Sequence, residues 1–65
     1  MLLHGPDGQE YYINMDMVTT LRLPIKNDLD KSYAKRTACV VYTDDGKFLA
    51  AIETCEQIYK LIMTH

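Results

Sequence analysis

The chain lacks the residue patterns on which most enzymatic and metal sites are built. It has two cysteines, two histidines and three glycines in 65 residues. No CxxC, HxxxH or HExxH spacing occurs, and no glycine-rich phosphate loop is present. The one serine, Ser32, lies in a charged segment without a GxSxG motif, so it has no evident activating base. We therefore predict a protein that is not an enzyme and needs no metal or cofactor.

Long apolar runs are also missing. The longest uninterrupted run has only a few residues, far short of the roughly 20 that span a bilayer. The chain does not open with a charged segment followed by a long apolar stretch, as a secretory signal would. We expect a protein without membrane insertion, located in the cytoplasm. In that compartment Cys39 and Cys55 are expected to be small buried side chains with reduced thiols.

The length of the chain suits one domain, residues 1–65, and makes its core marginal. A domain of this size buries only roughly 60% of the surface that its unfolded chain exposes. Apolar residues make up 48% of the sequence and charged residues 25%, which is a globular balance. Because so short a chain cannot cover all its apolar side chains, we expect self-association as a homodimer or a higher oligomer.

Alternating apolar and polar residues predict five short strands. Turn residues separate the first two at positions 5–8, and Asp44-Asp45-Gly46 separates the last two. Asn14 either caps a single helical turn before the third strand or lies in a simple bend. The fourth strand is apolar on both faces, which is typical of a central strand or of one whose outer face is covered by another subunit. The expected strands are residues 1–4, 9–13, 17–23, 37–43 and 47–52.

The last segment predicts a helix from about residue 55 to residue 64. Thr54 and Gln57 have the spacing of a capping box, and apolar residues then recur at helical intervals. The predicted fold is α+β: a small curved antiparallel β-sheet of four to five short strands, in the order β-β-β-loop-β-β-α, closed by one C-terminal helix.

Residues 24–36 form a long connection for so compact a domain, where most connections have about 4–6 residues. They predict either a short helix that begins near residue 27 or a mobile loop. Long loops often carry function, although the net charge of −2 and the interleaved aspartates favour a solvated segment. The candidate binding residues in this segment are Lys31, Tyr33, Lys35 and Arg36.

Tyrosine is the one aromatic residue in surplus, with five copies against one phenylalanine and no tryptophan. Its side chain is amphipathic and enriched at protein interfaces, and beside basic residues it can stack on single-stranded nucleic acid. Each tyrosine alone is more simply explained by packing at the edge of a sheet, whereas together they predict an interface. The candidate interface residues are Tyr12, Val40 and Tyr42.

Two stretches resemble a known family. Residues 8–18, GQEYYINMDMV, resemble the opening of the small FlbD/SwrD-type flagellar motility proteins: Gly, an aromatic, an aliphatic, then Asn-x-Asp and two aliphatic residues. Residues 41–46, VYTDDG, and 52–58, IETCEQI, are similar to that family's ending of strand, Asp/Asn-Gly, strand and Glu-Ser/Thr-x-Glu-Glu-Val. The segment at 24–36 stands where the family has a short Pro-Asp-Thr-like link. The resemblance implies a non-enzymatic accessory or regulatory role in flagellar function.

A second likeness is to the RemA-type small regulators, which bind DNA as oligomers. Residues 35–41, KRTACVV, are similar to their Arg-Arg-Thr-Arg-Ala-Val-aliphatic strand, and Ile52-Glu53-Thr54 to their final Pro-Glu-Thr. Their first arginine is Lys35 here, and their third basic residue is Ala38. This likeness implies a nucleic-acid partner.

The sequence thus supports two functional hypotheses. The first is a non-catalytic protein-interaction module that associates with itself through its sheet and has a protein partner. The second is a small nucleic-acid-binding regulator, transcriptional or post-transcriptional, that uses the basic residues of the long segment with Tyr33 between them. Nucleic acid is the less favoured partner because the chain is acidic overall.

Overall fold

The computed structural model describes residues 1–25 and 35–64 of the chain. In this part, five strands and one α-helix follow one another, with a 3-10 turn at Met15–Met17. The bounds are β1 Leu2–His4, β2 Glu10–Tyr12, β3 Val18–Arg22, β4 Cys39–Thr43, β5 Phe48–Ala51 and α1 Cys55–Met63. The predicted α+β class and element order are confirmed. The expected helix or loop within residues 24–36 lies mostly outside the described residues.

The strands divide between two antiparallel sheets. β1 pairs with β2, and a second sheet has the order β3-β4-β5. The division occurs where the side chain of Asn14 accepts a hydrogen bond from the Asp16 N–H at 3.0 Å and caps the 3-10 turn. This turn redirects the chain after β2, because the cap favours a helical turn over a continued ladder. Of the two alternatives at Asn14, the capped turn is the one that forms.

The turn between β4 and β5 is built by the side chain of Asp45. Its carboxylate accepts hydrogen bonds from the Thr43 hydroxyl and from the Lys47 N–H, the latter at 3.1 Å. These two bonds, the Thr43 bond first, hold the pKa of Asp45 below its ordinary value. Gly46 follows with a φ of 81°, in the left-handed region that favours glycine. The register then pairs Tyr42 with Phe48.

The helix begins as its sequence pattern predicts. The Gln57 N–H donates to Thr54 Oγ1 at 3.1 Å, and the Thr54 N–H donates to Gln57 Oε1 at 2.8 Å, which completes the capping box. Ile58 is buried and Ile62 is half-buried, so one face of α1 packs against the sheet. Met63 is the last helical residue, one short of the predicted end.

The core lies where this helix face, the three-stranded sheet and the first hairpin meet. It is a cluster of five buried residues drawn from four elements: Leu3, Cys39, Val41, Ala51 and Ile58. Leu3 belongs to the hairpin, so the small sheet is joined to the large one by apolar packing. A backbone hydrogen bond from the Ile52 N–H to the His4 carbonyl, at 2.9 Å, fixes the same junction.

Cys39 and Cys55 form a disulfide between β4 and the first residue of α1, with their Cα atoms 5.0 Å apart. The expectation of two reduced thiols is therefore wrong. Strand alternation directs the side chain of Cys39 toward the helix. Because Thr54 caps the helix, Cys55 is its first residue, and it lies next to Cys39. The separation of 16 residues contains no signal for this pairing, because only the folded chain brings the two sulfurs together.

Candidate interaction surface

The register of the three-stranded sheet assigns its residues to two faces. Leu21, Val41 and Leu49 are paired across the three strands, and all three belong to or pack against the core. Their sequence neighbours therefore point to the opposite face, which we call the open face because α1 lies on the other side. The open face consists of Thr20, Arg22, Val40, Tyr42, Phe48 and Ala50.

An aromatic pair and an arginine form the centre of the open face. The rings of Tyr42 and Phe48 have their centroids 6.1 Å apart and are tilted by 44°. Arg22 Nε donates to the Tyr42 hydroxyl at 3.1 Å, and the guanidinium carbon lies 5.6 Å from the centre of the same ring. Phe48 is 70% exposed. The result is a surface with both aromatic and cationic character.

The residues proposed from the sequence are only partly brought together. Val40 and Tyr42 share the open face, but Val40 is 2% exposed and offers almost no surface to a partner in this conformation. Tyr12 is 78% exposed and lies on β2, in the other sheet. Lys35 and Arg36 are exposed in a turn before β4. Lys31 and Tyr33 lie outside the described residues.

Arg22 and Phe48 are the surface residues that sequence reasoning missed. Both alternate with core residues along their strands, Arg22 after Leu21 and Phe48 before Leu49, and that alternation was a usable signal. What the pattern could not show is the register, which places both side chains beside Tyr42. Cross-strand neighbours depend on pairing and not on spacing in the sequence.

A groove of about 450 Å³ runs between β3 and α1. One wall is the first part of β3 and the other is one side of the helix; the lining residues are Val18, Thr19, Thr20, Leu21, Tyr59 and Ile62. These side chains include no carboxylate, histidine, lysine or cysteine. A groove of this chemistry can accept apolar side chains and backbone hydrogen bonds, and its one titratable side chain is the phenol of Tyr59.

A histidine–glutamate contact joins the two sheets. His4 Nδ1 lies 2.6 Å from one carboxylate oxygen of Glu53, and the His4 backbone N–H donates to the other at 2.9 Å. The second ring nitrogen faces Glu10 at 3.9 Å. Burial raises the pKa of Glu53, but the hydrogen bonds from the His4 backbone and ring outweigh it and lower the pKa below its ordinary value.

The pairing of His4 with Glu53 resembles the histidine–carboxylate part of a catalytic triad, but no nucleophile is seen beside it among the described residues. Among the residues that the structure describes, neither His4 nor Glu53 has a hydroxyl or thiol partner. Both cysteines are committed to the disulfide. Within residues 1–25 and 35–64, no group of three or more histidine, cysteine or acidic side chains is arranged to hold a metal ion. The contact serves to fasten the hairpin to the end of β5.

The one described helix, α1, has nine residues, and no helix in the described part of the chain is long and apolar enough to cross a membrane. No protein-family model, curated protein or solved structure matches the chain.

Proposed function

We propose that this protein is a small, non-catalytic interaction module that associates with itself. The observation that carries the proposal is the amount of apolar surface the fold leaves uncovered. Large hydrophobic side chains are between 39% and 78% exposed at eight described positions: Leu2, Tyr12, Leu23, Ile25, Phe48, Tyr59, Leu61 and Met63.

The imbalance between this surface and the core is the physical argument. The buried cluster contains five residues, fewer than the exposed large hydrophobics. Scattered single apolar residues are normal on a protein surface, but contiguous apolar patches are typical of interaction sites. Tyr59 and Met63 are one helical turn apart on α1, so this part of the exposed apolar surface is continuous.

Enzymatic function is less well supported. The His4–Glu53 contact lacks a nucleophile among the described residues, and the groove beside β3 has no carboxylate, histidine, lysine or cysteine to act together with the phenol of Tyr59. The resemblance to FlbD/SwrD-type proteins supports a more specific proposal, an accessory role in flagellar motility. A deletion strain that swims normally would contradict that role without touching the proposal of self-association.

The test of self-association is the molar mass in solution as a function of concentration. One chain has a mass of 7.5 kDa. Sedimentation velocity from micromolar to millimolar protein, in the absence of reductant, is expected to show a shift to at least twice that mass. A single species of monomer mass throughout this range would overturn the proposal.

The protein can be cytoplasmic in its disulfide-bonded state only if this disulfide resists reduction in the cell. The Cys39–Cys55 disulfide would have to persist against the cellular thiol pool, which keeps most cytoplasmic cysteines reduced. The disulfide therefore weighs toward an oxidising compartment. Thiol alkylation of the protein directly on cell lysis, followed by mass measurement, decides the matter: two labelled cysteines support the cytoplasm, and none supports an oxidising compartment.

A second candidate function rests on the open face. Arg22, Tyr42 and Phe48 combine a cation with aromatic rings, as surfaces that stack single-stranded nucleic acid do. Lys35 and Arg36 precede the central strand of the same sheet. Binding to a labelled oligonucleotide should weaken steeply with salt, and Phe48→Ala should weaken it further. If no DNA or RNA binds at low salt, this candidate is excluded.

A further inference from the structure

The outer edge of β3 has backbone groups that no described strand pairs with. The Thr43 N–H donates to the carbonyl of Lys47, which precedes β5. The Asp44 N–H donates to the carbonyl of Met17, which precedes β3. Because successive residues of a strand direct their backbone groups to opposite sides, Tyr42 and Val40 bond toward β3. Their partners Thr20 and Arg22 are thus bonded to β4. Leu21, between them, directs its N–H and carbonyl away from β4.

No other described strand lies along this edge of β3. The edge opens into the groove, whose second wall carries Tyr59 and Ile62. A strand added here would place alternate side chains over the helix side of the groove and the others on the open face. The site therefore favours an extended segment with apolar residues at every second position.

β3 and its continuation are themselves such a segment. Leu21 lines the groove, and Leu23, two residues further on and just past the end of β3, is 70% exposed. If the chain continues extended past Arg22, strand alternation directs Leu23 to the same side of the sheet as Leu21. If two β3 strands meet antiparallel about Leu21, each Leu23 lies beside Thr19 of the other strand. Thr19 stands at the register shift between Val18 and Thr20, and it lines the groove. Each copy then supplies the apolar side chain that the other copy's groove accepts, which is the reciprocity of a two-fold interface.

The charges at the two ends of β3 favour an antiparallel arrangement of the β3 strands of two copies. Asp16 and Asp44 lie at the start of β3, the second through its backbone bond to Met17. Arg22 ends β3, and Lys35 and Arg36 are exposed in the turn that leads into β4 at the same end of the sheet. An antiparallel pair brings the acidic end of one copy to the basic end of the other, whereas a parallel pair would bring like charges together.

We propose that a second copy of this chain binds antiparallel along β3, with a two-fold axis at Leu21, so that two three-stranded sheets become one six-stranded sheet. This inference rests on the proposed function and specifies its interface. The Leu21 backbone groups of the two copies pair with each other, and Leu23 of each copy enters the groove between β3 and α1 of the other.

The test compares Leu23→Lys with Phe48→Lys by sedimentation. Both side chains are 70% exposed, so neither substitution removes a core contact, and circular dichroism checks that both variants fold. Phe48 lies on β5, at the opposite edge of the sheet, and is the matched control. Leu23→Lys is expected to raise the dimer dissociation constant at least about tenfold, and Phe48→Lys is expected to leave it within about twofold.

Amide hydrogen exchange of Leu21 gives an independent readout. Its N–H should exchange at least about tenfold more slowly at concentrations where the dimer forms than where the monomer prevails. If the mass doubles but Leu21 exchange is unchanged and Leu23→Lys has no effect, the β3 interface is wrong and self-association stands. If the chain stays monomeric, both fail. If the Leu21 amide becomes protected only with an added protein, a different partner occupies the edge.

Discussion

Neighbouring residues of β4 point to opposite faces of the same sheet, and the two faces differ in what covers them. Val41 points toward α1 and is fully buried, whereas Tyr42 points to the open face and is half-buried beside an exposed Phe48. The covered face is closed by the helix, by the hairpin residue Leu3 and by a disulfide. The open face has instead a ring pair and a guanidinium contact. Val40 on the open face is also buried, so stability should depend mainly on the covered face, and recognition on the exposed part of the open face around Phe48 and on the β3 edge.

The difference between the faces is tested most strongly by truncating one residue on each. Ile58→Ala removes a fully buried side chain from the covered face and should lower the free energy of unfolding by about 3–4 kcal/mol. Phe48→Ala on the open face should change it by less than about 0.5 kcal/mol. Urea unfolding at low protein concentration measures both. Equal losses would mean that Phe48 contributes to the core as much as Ile58 does.

The disulfide is the next largest contribution to the covered face. Closing a loop with a separation of 16 residues is expected to stabilise the fold by about 3 kcal/mol, through the entropy of the unfolded chain. Double replacement of Cys39 and Cys55 by alanine should therefore shift the urea midpoint markedly downward. Reductant should shift the midpoint of the native protein in the same direction and leave the double variant unchanged. If reductant did not change the urea midpoint of the native protein, the Cys39–Cys55 disulfide would be contradicted.

The His4–Glu53 contact should give the smallest effect and one that depends on pH. The pKa of Glu53 is lowered in the fold, so its contribution is present above the ordinary value of 4.5 and is lost as pH falls through the folded value. Glu53→Gln should cost about 1–2 kcal/mol at neutral pH and should flatten the loss of stability below about pH 4.5. Urea midpoints between pH 7 and pH 3 measure this.

Glu56→Gln is the matched control for that experiment. Glu56 is exposed and pairs with Lys60 one helical turn away, at 3.3 Å. An exposed pair of this kind contributes less than about 1 kcal/mol, so the substitution should leave the acid limb of the native profile intact. If Glu56→Gln flattened the profile as much as Glu53→Gln does, the hydrogen bonds from His4 would not be the cause.

Much of the architecture followed from local chemistry. The Thr54–Gln57 capping box places the start of α1, and the Asp45-Gly46 turn joins β4 to β5, because side chains there bond to backbone groups a few residues away. The apolar character of both faces of β4 predicted a central strand or one covered by another subunit, and β4 is central in the order β3-β4-β5. These features depend on contacts close in sequence, which a reader of the sequence can recognise.

Only the tertiary structure decided which residues far apart in the sequence lie next to each other. The sequence showed two cysteines but not their pairing, and it showed Arg22, Tyr42 and Phe48 without the register that brings them together. It predicted one curved sheet, whereas the capped turn after Asn14 separates two. The physical reason is common to all three. A disulfide, a register and a sheet boundary each depend on which segments meet in space, and that choice is made by burial of the whole core and not by any one stretch of the chain.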